Sequence, residues 1–358
     1  MHEGRRGALF LARRETARKR GWRSAVDAEH PHHAAFDPLG QALSVIWLGL
    51  LAYGLIGIGE TGASGSKVLA PLGAAALAFA AFVRVETRVA RPLLPAWLFH
   101  DRQLVRANLA SFVLGFSGYS SLFFLSLFLQ QAQGQPPATA GWQLMPQFVL
   151  TGATSMLFGR IAARVPLRAL MAAGYGLIGV ALSAMAWFGA GTPYAAVGMA
   201  LALLGVGMGL AVPATGMRVM ELAPAERAGM ASATMNALRQ TGMSMGIAVL
   251  GSAMSISAVR RMTAALQAAG RADAVGAAHR AIVGHVLPAD FPGMLDLYRN
   301  AMSHGFAVAA GCSGILSMSN ALMLLAQRSG NAQAERVAAP AAPAAVARVT
   351  AADARPRT

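Results

Sequence analysis

The 358 residues are 55% hydrophobic and only 13% charged, with a mean hydropathy of +0.48, more apolar than a soluble core requires, so the chain reads as a helical membrane protein. The charge of +15, from 30 Lys+Arg against 15 Asp+Glu, would suggest a nucleic-acid partner in a soluble chain, but here the arginines flank apolar stretches or sit in the tails, where they orient helices against lipid. A single cysteine, Cys312, excludes a disulfide framework, a CxxC motif and a structural zinc site.

Residues 1–36 hold eight basic residues and no apolar run long enough for a signal-peptide core; they read as a basic cytoplasmic tail. Eight apolar segments follow, at 38–59, 68–83, 107–129, 138–158, 169–189, 193–217, 228–258 and 301–327, and each is expected to be a transmembrane helix. The second is short and carries Pro71 in its expected first turn, where proline costs little. Residues 328–358, with AAPAAPAAVARV near the centre, read as a disordered cytoplasmic tail.

Orientation follows from the short loops. Segments 84–106, 159–168 and 218–227 hold five, three and two Lys/Arg, and the alternate segments 60–67, 130–137 and 190–192 hold one, none and none. Positive charge accumulates on the cytoplasmic side. The first set is therefore expected inside, and with eight spans both termini are cytoplasmic. The long segment 259–300, with five arginines, is expected as an outer loop.

Arg239 is the one charged residue deep inside an apolar segment. Counting about 1.5 Å per residue from Arg227, it lies roughly 18 Å along its helix, near the bilayer midplane. An arginine at that depth needs a polar cavity or a helix interface. Asn236 and Gln240, at i and i+4, are expected to join it on one face, either as a polar stripe lining a substrate path or as an interhelical hydrogen-bond clamp.

Gly242 and Gly246 on the same helix, and Gly205 and Gly209 in the sixth segment, are GxxxG pairs that permit close helix approach, within the bundle or in a homodimer. Pro213 is either a kink or a proline tolerated in lipid. In the fourth segment Gln143 and Gln147 flank Pro146 and suit a cavity wall, while Trp142 reads as an interfacial anchor. Tyr119, Phe123, Phe124 and Phe128 are either core packing or a platform for an aromatic drug. His304, near a boundary, is either interfacial or a proton relay. No Asp or Glu falls in the middle of a segment, so the chain lacks the titratable group that proton coupling requires. No phosphate loop, metal-spaced His/Cys cluster or GxSxG occurs, and neither enzyme activity nor a cofactor or metal is expected.

Several stretches resemble a known family. FDPLG at 36–40, RPLLPAWLF at 91–99 and SLFLQQAQGQPPATAG at 126–141 are similar to the fourteen-helix drug:proton antiporter branch of the major facilitator superfamily, the EmrB/QacA type. GRIAAR at 159–164 looks like the superfamily's cytoplasmic GRxADR signature, and PAERAGMASATMNALRQTG at 224–242 looks like the loop and penultimate helix of that branch. Gly159, Arg160, Arg164 and Arg168 then correspond to the conformational loop. Ala163 stands where the signature is acidic and Pro166 where a glycine is usual, which puts a charge latch there in doubt.

By motif order the eight segments resemble two linker helices with a cytoplasmic loop (37–106) followed by the six-helix second lobe (107–327). The first lobe, which in the family carries an acidic residue for proton coupling, is expected to be missing. The resemblance implies an all-α polytopic inner-membrane protein that exports amphipathic small molecules against protons once a full carrier is assembled. Membrane lipids, and a partner supplying the other lobe, are then its surroundings. The alternative is a truncated or split-gene product that transports nothing by itself and acts as a subunit or remnant.

Overall fold

Runs of Leu, Ala, Val, Met and Gly must satisfy their backbone groups internally when surrounded by lipid, and helix is how a single segment does so. The computed structural model describes residues 38–61, 65–89, 101–287 and 293–326. Among them every regular element is helical. The basic tail, the 91–99 motif and the Ala/Pro-rich end lie outside the described residues.

The helices are α1 (Pro38–Thr61), α2 (Ser66–Glu86), α3 (Arg102–Val113), α4 (Ser121–Leu127), α5 (Pro137–Gln143) and α6 (Met145–Ala162). They continue as α7 (Leu167–Met185), α8 (Tyr194–Leu222), α9 (Ala228–Ala268), α10 (Ala274–Ile282) and α11 (Met294–Ala326). Two π-helical segments, Leu114–Tyr119 and Phe128–Ala132, join α3 and α4 into one rod ending at Ala132. Their i→i−5 bonds include Ser120 N–H to the Gly115 carbonyl at 3.2 Å.

Seven helical stretches among the described residues are long and apolar enough to cross a membrane, one fewer than the sequence suggests. The exception is the 138–158 segment. It breaks at Leu144, just before Pro146, into α5 and α6, and α6 carries Gln147, Thr151, Thr154, Ser155 and Arg160, which dilute its apolarity. Pro71 also moves: α2 begins at Ser66, so the proline is inside the helix and not in its first turn. The expected outer loop 259–300 is largely helical, because α9 continues to Ala268, α10 follows and α11 starts at Met294. Arg260 and Arg261 end the apolar run but not the helix; Met262 and Leu266, four apart, are fully buried beyond them. Hydropathy reports the medium, whereas Ala-rich sequence with an apolar stripe suffices for helix.

The helices from α3 onward form one lobe, in which α7 packs on α8 and α11, α6 on α8, and α9 on α11 and the α3–α4 rod. Phe124, Phe128, Tyr175 and Phe306 fill the centre, with Phe128 stacked on Phe306 at 4.5 Å. Tyr175 donates to the Ala110 carbonyl at 2.6 Å and lies 3.1 Å from the Thr215 hydroxyl, tying α3, α7 and α8 together. Ser117 and Ser317 share a 2.6 Å hydrogen bond between the first π segment and α11. The α1–α2 hairpin stands outside this lobe, packing through α1 on α9. Only 11% of α1's spanning window is buried, against 61% of the α3–α4 rod's, so the other described residues leave most of the hairpin's apolar surface uncovered. Near α10, Arg280 bonds Asp273 at 2.7 Å and holds its carboxyl below the usual carboxylate range.

Candidate substrate path

Helix α9 has 41 residues, about 60 Å at 1.5 Å each, twice a bilayer's hydrocarbon thickness. Arg239, in its fourth turn, is half-buried. Its guanidinium hydrogen-bonds the Asn236 side-chain oxygen and lies over the Tyr119 ring, 5.6 Å from the centroid. Asn236 in turn donates to the Ser232 carbonyl at 3.0 Å. Tyr119 ends the first π segment; the extra residue per turn there re-aims side chains, as π bulges do at functional positions. The sequence alone carries no signal for it.

Gln240 does not join this pair. It sits about 100° around the helix from Arg239 and lines a separate cavity between α9 and the hairpin. Gln143 and Gln147 lie on another wall. Gln147 is buried against α8 and Gln143 half-buried, and the side-chain oxygen of each is shielded without a hydrogen-bond partner. Tyr194 joins this wall, its hydroxyl donating to the Gln143 backbone carbonyl at 3.2 Å.

The four GxxxG glycines pack inside the chain. A Cβ on Gly242 would meet the Phe112 carbonyl, and one on Gly246 the Phe116 carbonyl. Gly205 abuts the Gln147 backbone, and a Cβ on Gly209 would stand 2.6 Å from Thr154 Cβ. These faces are therefore occupied by α6 and the α3–α4 rod and are not open to a homodimer. Gly115, missed in the sequence, complements Gly242 by abutting the Arg239 carbonyl. Replacing Gly242 by Val forces two backbones apart, and the expected loss is about 3 kcal/mol. Thermal unfolding in detergent checks this, with Gly216→Ala, where nothing lies within 4 Å of the added carbon, unchanged.

The proposed drug platform divides. Phe124 and Phe128 are core, Phe123 is 43% exposed, and only Tyr119 faces Arg239. Pro213 is inside an unbroken α8. Trp142 is 75% exposed, as an interfacial anchor is, and His304 is exposed beside Arg261 and Trp187. In the expected conformational loop, Gly159, Arg160 and Arg164 are exposed. Arg168 instead caps the end of α11, donating to the Leu324 and Leu325 carbonyls at 2.8 and 2.5 Å, a cation on a helix C-terminus.

Among the described residues no group of three His, Cys, Asp or Glu is placed to hold a metal. The sequence pattern of the Major Facilitator Superfamily matches residues 33–247. Similar proteins include the methylenomycin A resistance protein of Streptomyces coelicolor, 32% identical over 212 residues, covering 59% of this chain and 45% of that protein. The multidrug resistance protein Stp of Mycobacterium tuberculosis is 32% identical over 220 residues, 62% of this chain and 41% of Stp. The tetracenomycin C resistance and export protein of Streptomyces glaucescens is 31% identical over 226 residues, 62% and 41%. The chain thus spans less than half the length of these relatives, and none of them carries an enzyme's name.

Proposed function

The chain belongs to the Major Facilitator Superfamily and is a multi-pass membrane protein, and from that premise we propose that it supplies the second lobe and linker hairpin of a proton-driven exporter of amphipathic small molecules. The observation that carries this reading is α6. It packs almost wholly on α8, its Thr151 and Ser155 hydroxyls are spent on the Gly205 and Gly209 carbonyls of that helix, and Phe148, Val149, Met156 and Leu157 stay exposed on its far side. An apolar face on a helix held by one neighbour is a docking face, and a carrier's opposing lobe supplies a partner for it.

Resistance and export in the names of the relatives support a drug-like cargo. The motifs at 126–141 and 224–242 support the fourteen-helix branch. In this reading Asn236 and Arg239 face the path from one wall and Gln143 from another, while Gln147, buried against α8, packs behind it. Gln240 belongs beside it, at the hairpin. A second reading, a subunit that transports nothing by itself, is favoured by the absence, among the described residues, of any Asp or Glu from the middle of a membrane-crossing helix.

The test is co-expression with a first lobe from a relative, in bacteria stripped of their own exporters. Lower accumulation of an amphipathic dye, abolished by a protonophore, is the expected result; unchanged accumulation overturns the export reading. Placement in a bacterial inner membrane with both termini cytoplasmic rests on the ten basic residues against one in alternate short segments. A reporter active only outside the cytoplasm should then signal from Gln135 and stay silent at Arg164, and the reverse pattern overturns the orientation.

A further inference from the structure

The hairpin and α9 touch at one end and part at the other. At the closed end the Ser252 hydroxyl donates to the Leu55 carbonyl at 2.5 Å, and a Cβ on Gly59 would stand 3.1 Å from Ser252 Cα. Eleven residues earlier on both helices, about 16 Å away, the two separate around a cavity of about 760 Å³. That volume is in the range of pockets for drug-sized molecules.

Its walls combine two chemistries. Trp47, Phe79, Phe82 and Phe112 make an aromatic side, with Trp47 and Phe79 edge to face at 5.0 Å. Opposite them Gln240, Thr241 and Ser244 of α9 present amide and hydroxyl groups. None of the lining residues is charged. The Trp47 indole N–H is shielded from this space, and the Ser44 hydroxyl is spent on the Gln41 carbonyl at 2.7 Å.

We propose that this wedge is a binding site for a neutral, planar polycyclic aromatic molecule bearing carbonyl groups. The rings stack among the aromatic side chains, and a carbonyl accepts from the Gln240 amide. A cation finds no carboxylate there to offset its desolvation. A phospholipid acyl chain fills the apolar wall but offers the Gln240 amide no acceptor. The site is separate from the Arg239 path and needs no second lobe, so it stands or falls independently of transport.

The test uses this chain in phospholipid nanodiscs, with Trp22, Trp97, Trp142 and Trp187 replaced by Phe so that Trp47 is the sole indole. Titration with 1,8-dihydroxyanthraquinone is expected to quench Trp47 saturably. Ala237→Phe, which fills the cavity from α9, should weaken binding about tenfold. Gln240→Leu, an exposed position whose change leaves the packing intact, should weaken it about fivefold through one lost hydrogen bond. Quenching that never saturates, or that ignores Gln240→Leu, overturns the proposal. So does mass spectrometry showing a phospholipid retained by the starting protein and shed by Ala237→Phe while the anthraquinone fails to bind, since the wedge is then a lipid seat.

Discussion

Vesicles reconstituted with this 358-residue chain alone and given an imposed pH gradient are expected to accumulate no cationic dye. Two separate features require this. Transport by alternating access rocks one lobe against another about a midplane site, and the helices from α3 to α11 make up one lobe. Coupling also needs a group that changes charge as the proton passes. Among the described residues, every Asp and Glu lies at a helix end or outside the membrane-crossing stretches. A second copy of the chain would add a wall but no carboxylate, and the GxxxG faces available for joining two copies by their spacing are filled by intramolecular contacts. Saturable, gradient-driven uptake by the chain alone defeats the expectation, and gradient-independent leakage does not.

Arg239→Ala is expected to reduce export by the lobe paired with a complementary first lobe to background, while the lobe itself still folds and inserts. The contacts set the balance. Arg239 bonds Asn236 on its own helix and reaches across only to the Tyr119 ring, a cation–π contact of about 0.5–2 kcal/mol. Asn236 keeps its bond to the Ser232 carbonyl when the guanidinium is gone. The close approach of the helices is held by Gly115 and Gly242 instead. A loss of about 1–2 kcal/mol in stability should therefore accompany a complete loss of transport. Size-exclusion profiles after solubilisation separate the outcomes, since an aggregated Arg239→Ala protein with export lost only for want of protein supports the clamp. Arg239→Lys sharpens the comparison, because it keeps the charge but not the planar fork that lies over a ring.

Both predictions depend on features that the sequence revealed unequally. Composition and apolar run length were sufficient for the all-helical membrane class, because the cost of an unsatisfied backbone in lipid leaves few alternatives. The position of Arg239 in the fourth turn of α9 followed from counting, since helical rise is fixed. GxxxG spacing likewise marked Gly205, Gly209, Gly242 and Gly246 as close-approach positions, but not their neighbours. That α6 and the α3–α4 rod occupy those faces depends on which helices meet, which is a property of the whole chain.

Tertiary structure also separated Gln240 from Arg239. Residues one position apart point in directions about 100° apart, and the hairpin draws Gln240 into its own cavity. Tyr119 meets Arg239 only because a π segment shifts the register of the rod, and no local pattern announces that extra residue. Helix α9 runs past Arg260 and Arg261 because Met262 and Leu266 find a buried face, although the hydropathy signal has ended. Apolarity, which each segment carries in itself, was thus legible in the sequence; direction, register and partner depend on how segments far apart in the chain pack together, and only the folded lobe decided them.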